Sequence, residues 1–431
     1  MAEEKLNQFF ATLDRVVESN LSNQAAGNDV DWLSRLRAQA GKSFQQLPVP
    51  SHKDKSWSHF AELEISEAYG PVGAPKVTTG ILDAENKALS ALVTITESEI
   101  KFQVSSEAAK QGLVVCTLEE AASKHAKLLE DSLTLADLGS EDKLTVFSTA
   151  ASFHGFLLYV PKGVQLNRPV EILIQNEKEN VVFPTNAWII LDEQAETSIV
   201  IRQKSATGGL KSAIASLALA LDIREDASLH LLETQQYSRA VWTFVNEASR
   251  LAAGASLDQF VLDTGSAVNK HILTAVMQGD GSQVSITGIY TPQNDQVYIY
   301  DTHQNHNASH TTSDLLFNGV LDGSAYSLWK GNVYVAAGTK GADGFQINRN
   351  LLLDEASHAE SIPGLEIIAD DVRCSHAVTL SSVDPEQMFF LESRGIGPAD
   401  AEELIVSGFL EAASNRMKDK ALKEIIQEAL K

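Results

Sequence analysis

Across residues 144–385 the chain consists of short runs rich in Val, Ile, Leu and Thr separated by small turns, and one turn recurs. A hydrophobic strand ends in acidic residues or glycine, a small residue follows, and the next strand begins. The pattern is clear in Leu191-Asp192-Glu193-Gln194-Ala195, Arg224-Glu225-Asp226-Ala227, Leu321-Asp322-Gly323-Ser324 and Leu353-Asp354-Glu355-Ala356. Ala253-Gly254-Ala255 and Asp280-Gly281-Ser282 are intermediate cases. The small residues at 195, 227, 255, 282, 324 and 356 are about 32 apart on average, the length of a structural repeat. Such a period implies a stacked β-solenoid, in which each coil turns sharply and Ala, Gly or Ser at the turn lets neighbouring coils approach. A β-sandwich with regular turns is the alternative, but a single sandwich rarely extends over so long a segment.

Helical periodicity brackets this region. Leu6, Phe9, Phe10, Leu13, Val16 and Val17 form one stripe, and Trp32, Leu33 and Leu36 begin another that Leu47-Pro48-Val49-Pro50 ends. A loop through Lys53-Asp54-Lys55-Ser56-Trp57 follows, then strand-like runs over 76–115. Residues 117–129 read as a helix with Thr117 as N-cap and Glu120 completing a capping box. At the other end Gly397-Pro398 opens a helix. Its apolar face holds Ala401, Leu404, Ile405, Gly408, Phe409 and Ala412, and Leu422, Ile425, Ile426 and Leu430 form a second face. The expected organisation is mainly β: a helical and small α/β region over 1–145, the β core over 146–385, and a helical domain over 386–431.

With 44 % hydrophobic residues the chain is globular. A net charge of −23 argues against nucleic acid or an anionic membrane as partner, since both require clustered Lys and Arg. The opening Met1-Ala2-Glu3-Glu4-Lys5 does not read as a secretory signal, and the apolar run at 212–223 is too short to span a bilayer. Two distant cysteines, Cys116 and Cys374, suggest no disulfide framework. A soluble cytoplasmic protein is expected.

Enzyme constellations are missing from the sequence. There is no phosphate-binding Gly-x4-Gly-Lys-Ser/Thr loop, no Gly-x-Ser-x-Gly elbow and no His-Glu-x-x-His helix. The glycine-rich stretch from Gly338 to Gly344 reads as a turn between strands. His303, His306 and His310 form a local cluster that could bind a transition metal, though the spacing would align them only on a helix. Cys374-Ser375-His376 is sharper. In an extended strand residues two apart share a face, so thiol and imidazole would project together, a pair that suits iron or an iron–sulfur cluster. Asp370, Asp371 and Arg373 could tune its charge, with either Asp orienting His376. The alternative is a buried cysteine beside a surface histidine. Two residues cannot complete a coordination sphere, so further ligands would come from elsewhere or from another chain.

The chain resembles the SufB/SufD family. The resemblance rests on Lys53-Asp54-Lys55-Ser56-Trp57, Val114-Val115-Cys116-Thr117-Leu118-Glu119-Glu120-Ala121, Tyr159-Val160-Pro161-Lys162-Gly163-Val164, Gly319-Val320-Leu321-Asp322-Gly323, Asn348-Arg349-Asn350-Leu351-Leu352-Leu353, Ala369-Asp370-Asp371-Val372-Arg373-Cys374-Ser375-His376 and Ser393-Arg394-Gly395-Ile396. It implies a right-handed parallel β-helix between helical flanks, in a scaffold that assembles iron–sulfur clusters without turnover of its own. SufB-type chains carry a cysteine where this chain has Asn348, and Glu-His-Glu in place of Cys374-Ser375-His376. With no cysteine between Cys116 and Cys374, the chain looks SufD-like, and Cys116 reads as structural. Ala377 where the family usually has Gly, Glu360-Ser361-Ile362-Pro363 in place of Asp-Thr-Lys-Pro, and Ser309 in the His-x-x-Pro motif are departures.

The resemblance implies pairing with a SufB-like subunit through the ends of the β-helices. It also implies docking of a SufC-like ATPase on the C-terminal helices around 394–409, with Arg394, Gly395, Leu404, Ile405 and Phe409 as contacts. A nascent iron–sulfur cluster would be held at the subunit interface by His376 and Cys374. The chain alone is expected to bind no stable cluster and could homodimerise. A SufB-like scaffold subunit, an enzyme on a β-helix and a purely structural β-helix protein are the competing readings.

Overall fold

A computed structural model describes residues 2–25, 31–62, 69–82, 86–130, 132, 142–206 and 212–430. Residues 154–382 wind through eight coils, each contributing one strand to each of two sheets, and successive coils pair in parallel. The coils are His154–Val160 with Val170–Asn176, Val181–Leu191 with Glu196–Ser205, Ala213–Ile223 with Ser228–Gln236, and Val241–Leu251 with Ser256–Asp263. Then come Val268–Met277 with Gln283–Tyr290, Val297–His306 with Thr312–Gly323, Tyr326–Val335 with Ala342–Leu352, and His358–Ile367 with Val372–Ser382. The first strand of each pair lies in sheet A and the second in sheet B. The solenoid is thus borne out over the sandwich.

The recurring turn proves to be two different turns. Ala195, Ala227, Ala255 and Ser282 stack in one column where the chain passes from sheet A to sheet B. The register of Ser228 on Ser256, then Gln283, Thr312 and Asp343, continues that column to Thr311 and Ala342. Ser324 and Ala356 lie in the return turns on the opposite edge. In the first column the residue before each small one is left-handed: Gln194 (φ 59°), Asp226 (56°), Gly254 (67°), Gly281 (72°), His310 (57°) and Gly341 (64°). Each of these amides donates to a carbonyl of the next coil, as in Gln194 to Glu225 at 2.9 Å and Asp226 to Ala253 at 2.9 Å. Gly holds three of these six positions because positive φ costs it nothing, and Asp226 tolerates it better than most residues. The next residue is small because it is enclosed in the stack.

Three layers of side chains hold the molecule together. Inward residues of both sheets form the central core, from Phe156, Ile172 and Ile189 through Leu231 and Val261 to Tyr300, Phe317 and Trp329. The outer face of sheet A is covered by the N-terminal helices Ala2–Ala25 and Asp31–Gln46 and by Lys143–Ala151. Phe9, Phe10, Leu13 and Phe147 pack there on Trp242, Phe244 and Ile299. The outer face of sheet B is covered by the C-terminal helices, with Leu410, Ala413, Met417, Leu422 and Ile426 on Leu232, Phe260, Leu316 and Leu351.

Two local expectations change. Lys55–Ser58 is a helical turn capped by Asp54 rather than a loop, and Trp57 is buried against Phe10 and Phe60. The 117–129 helix is broken at His125 into Leu118–Lys124 and Ala126–Glu130. Thr117 does cap it, accepting from the Glu120 amide at 3.2 Å, but the Glu120 carboxylate pairs with Lys124 at 2.6 Å. Cys116 is buried on the strand Val114–Thr117, and burial pushes its thiol up to about 12, as suits a structural residue.

The two ends of the solenoid differ. At the first coil, Val114–Thr117 adds antiparallel to sheet A, while Ala91–Ile95, Glu99–Val104 and Lys76–Ile81 extend sheet B. At the last coil, His358–Ile367 and Val372–Ser382 are the outermost strands of their sheets, and no strand among the described residues pairs with their free edges. Among the described residues no helix is long and apolar enough to cross a membrane.

Candidate functional site

Strand Val372–Ser382 lies in register on Ala342–Leu352, with Cys374 on Gly344, His376 on Gln346, Val378 on Asn348 and Leu380 on Asn350. Gln346, Asn348 and Asn350 point into the solenoid and are 0–1 % exposed. Cys374 and His376 therefore share the inward face, as the two-residue spacing implied. Because no further coil among the described residues covers this row, His376 is exposed and Cys374 half-buried. Burial raises the Cys374 thiol above its ordinary value, so the thiol form is favoured in the lone chain. The glycine beneath makes room: a Cβ on Gly344 would come 3.3 Å from Cys374 Sγ and 3.1 Å from His306 Nε2. Asp370 and Asp371 precede the strand, and the Asp371 carbonyl accepts from the Gly341 amide at 2.7 Å. With about 3.3 Å of rise per residue Asp371 and Asp370 lie roughly 16 and 20 Å along the chain from His376, so neither is placed to orient its ring.

The mouth around this pair is apolar. Leu365, Ile367, Val378 and Leu380, together with Ile362 and Ile368, are among the few large hydrophobic side chains left exposed. A polar bed lies beneath it. Asn348 Nδ2 donates to Tyr290 Oη at 3.0 Å, Tyr290 Oη to Asn350 Oδ1 at 2.6 Å, and Gln346 Nε2 to the Gly364 carbonyl at 3.0 Å. The Lys53–Trp57 segment reaches the same end, where Lys55 pairs with Glu360 and Asp54 with Lys330 at 3.4 Å.

The three clustered histidines do not converge. His303 points outward from sheet A and pairs with Asp301 at 3.1 Å. His306 points inward and is fully buried, its Nδ1 2.8 Å from Thr311 Oγ1 and its Nε2 2.8 Å from Ser313 Oγ. Burial lowers it to about 4. His310 occupies a left-handed turn position. A strand followed by a turn sends the three to different sides, so they form no common site.

On the C-terminal helices, Ile405 and Phe409 are partly buried in the seat on sheet B, whereas Leu404 is 53 % exposed. The sequence reading missed Phe389 and Phe390 on Pro385–Glu392, which are 73 % and 50 % exposed. The Arg394 guanidinium lies 3.7 Å over the Phe390 ring, and Gly395 takes φ 86° as the chain leaves that helix. Also missed was a fully interior group, Glu233, Glu247 and His271, contributed by three successive coils.

Residues 173–409 match the family described as "SUF system FeS cluster assembly, SufBD core domain", and residues 83–172 match the "SufBD protein N-terminal region". Among similar proteins, the iron–sulfur cluster assembly protein SufD of Bacillus subtilis (strain 168) is 26 % identical over 91 % of this chain and 92 % of its own length. A SufBD family protein of Staphylococcus epidermidis is 24 % identical over 88 % of this chain and 84 % of its own. Another from Staphylococcus haemolyticus is 24 % identical over 88 % and 85 %.

Proposed function

The chain belongs to the SufB/SufD family of iron–sulfur cluster assembly proteins, and from that we propose that it acts as the SufD-like, non-catalytic subunit of the scaffold. It pairs with a SufB-like subunit through its uncovered last coil, and a nascent cluster forms there between the two chains. One observation carries this reading: Cys374 and His376 sit on the inward row of the last coil, whose outer edges no strand among the described residues covers, with exposed apolar side chains beside them. A long unpaired edge with apolar neighbours favours strand addition by a partner. The lone chain offers one sulfur and one nitrogen, so a bound cluster completes its ligand set from the partner. A SufC-like ATPase docks on Phe389, Phe390, Arg394, Gly395 and Leu404, the solvent-facing part of the C-terminal helices, while Ile405 and Phe409 hold those helices in place.

The test is co-expression with SufB-like and SufC-like partners. Leu380→Lys should abolish pairing while leaving the chain folded, because a charge on an exposed edge costs the monomer little. His376→Ala and Cys374→Ser should leave the complex intact and lower the cluster assembled on it. Normal assembly by the His376→Ala, Cys374→Ser double variant would sink the ligand role. Retained pairing by Leu380→Lys would sink the interface. Homodimerisation of the lone chain through the same edge would be lost in the same variant.

A further inference from the structure

The interior of the solenoid is not uniformly apolar. Glu233 on Ser228–Gln236, Glu247 on Val241–Leu251 and His271 on Val268–Met277 all point inward and are 2 %, 0 % and 3 % exposed. One ligand atom from each lies within 4.8 Å of the others. Gln259, on the sheet B strand next to that of Glu233, donates its amide to Glu233 Oε1 and, across the interior, to Glu247 Oε2, both at 2.7 Å. That clamp occupies one oxygen of each carboxylate and orients both side chains. His271 Nε2 has no hydrogen-bond partner among the described residues; its nearest acceptor, Glu247 Oε2, is 3.7 Å away. An imidazole nitrogen aimed into a buried pair of carboxylates is expensive to keep for stability alone, since apolar residues of similar volume would serve as well or better.

We infer that Glu233, Glu247 and His271 together hold one first-row divalent cation inside the solenoid. One imidazole and two carboxylates form the mixed nitrogen–oxygen set that such ions take, and the hard, weakly competing Mg²⁺ is disfavoured by the nitrogen and by burial. Gln259 is the outer residue that holds the ligands in place. Burial and the adjacent Glu247 carboxylate raise Glu233 well above the carboxylate range, and burial raises Glu247 to about 7. Binding therefore exchanges protons for the ion: the cation forms bonds to the two carboxylates and to neutral imidazole, and the displaced protons pass to solvent. The site lies in coils three to five, far from the Cys374–His376 row of coil eight, and the inference does not rest on the proposed function.

The test uses the full chain, stripped with a chelator and then offered Co²⁺, Zn²⁺, anaerobic Fe²⁺ or Mg²⁺, both folded and during refolding. About one equivalent of Co²⁺, Zn²⁺ or Fe²⁺ should remain after desalting, and Mg²⁺ should not. The Cys374→Ser, His376→Ala double variant should retain the ion. Glu233→Gln and Glu247→Gln preserve shape, and should weaken binding by at least the roughly 10–100-fold that losing even an outer partner costs. If those variants fail to fold, the Co²⁺ spectrum in the Cys374→Ser, His376→Ala background decides: d–d bands without sulfur charge transfer support the site. No retained ion in the wild type would overturn the inference and leave a proton-sharing acid pair. So would undiminished binding in folded Gln variants, or loss of the ion in the Cys374→Ser, His376→Ala background.

Discussion

Leu422→Ala tests whether the C-terminal helices are held by their seat on sheet B or by the partner. Leu422 is fully enclosed, alongside Ile426, Met417 and Leu410, against Leu232, Phe260 and Leu316. Truncation removes three carbons from that site, about 2.4 kcal/mol at about 0.8 kcal/mol per buried carbon, with the cavity adding up to about 2 kcal/mol more. At 1.36 kcal/mol per decade, the lower figure raises the population of detached helices by about 60-fold. The backbone bond from the Leu422 amide to the Asp419 side chain (2.9 Å) is untouched, so the loss reports packing rather than helix capping. Hydrogen exchange of amides in Lys420–Ala429 should accelerate by that factor, with the solenoid strands unaffected. Phe389→Ala and Leu404→Ala, at exposed positions, should change exchange by less than about 0.5 kcal/mol while weakening the ATPase contact. Unchanged exchange in Leu422→Ala, or equal acceleration in Leu404→Ala, would refute the division between a buried seat and an exposed docking face. The same geometry makes deletion of 386–431 a poor test of docking, because it bares the apolar outer face of sheet B.

Two further outcomes follow from buried groups in the solenoid. Folded His306 titrates near 4 and the unfolded residue near 6.5, so the unfolded chain binds the extra proton between those values. Stability is full above pH 6.5 and falls as pH drops toward 4, by about 3 kcal/mol in all. Denaturant titrations of wild type and His306→Gln, compared at pH 7.5 and 5, should show the difference shrinking at the lower pH; a constant difference would refute it. The two thiols should also separate. Cys374, half-buried at the open coil, should react with a small disulfide reagent at pH 8, whereas Cys116, pushed up to about 12, should react only after denaturation. Two rapid equivalents from the native protein would contradict its burial.

The solenoid was legible because its sheet A to sheet B turns carry a local signature: a left-handed residue, Gly in three of six, followed by an enclosed small residue. What the pattern could not reveal was which edge a turn occupies. Leu321-Asp322-Gly323-Ser324 reads like Arg224-Glu225-Asp226-Ala227 and shares its left-handed third residue, yet it returns the chain to sheet A and leaves Ser324 exposed where Ala227 is enclosed. Cys374 and His376 were found because they are close in sequence and the strand is regular. Glu233, Glu247 and His271 come from separate coils and have no spacing motif. Their only trace is a charged or polar residue at an inward position, as where Glu233 follows Leu229 and Leu231 on one face. Ile405 and Phe409 were grouped with Leu404 because a helix stripe shows an apolar face without showing what it touches. The structure turns two of the three toward sheet B and leaves the third outward.

The difference between the two solenoid ends links the fold to the proposed role. Any stack of parallel coils finishes in two edges, and a chain that functions alone has reason to blunt both. Here the first edge is closed by an antiparallel strand and a small sheet extension, while at the last the strands of ten and eleven residues have no partner on their outer edges among the described residues. The covered row beneath is enclosed, and its Asn348 and Asn350 side chains bond to Tyr290, Ser361 and each other. A Cys–His pair one coil deeper would be sealed in the same way, with no route for a cluster to be received or released. On the outermost coil the pair is exposed, and under the proposed pairing the partner chain would close over it and bring the missing ligands. A site incomplete in each subunit but complete between them assembles only when the partners meet, and separating the chains reopens it, as building and handing on a transient cluster requires.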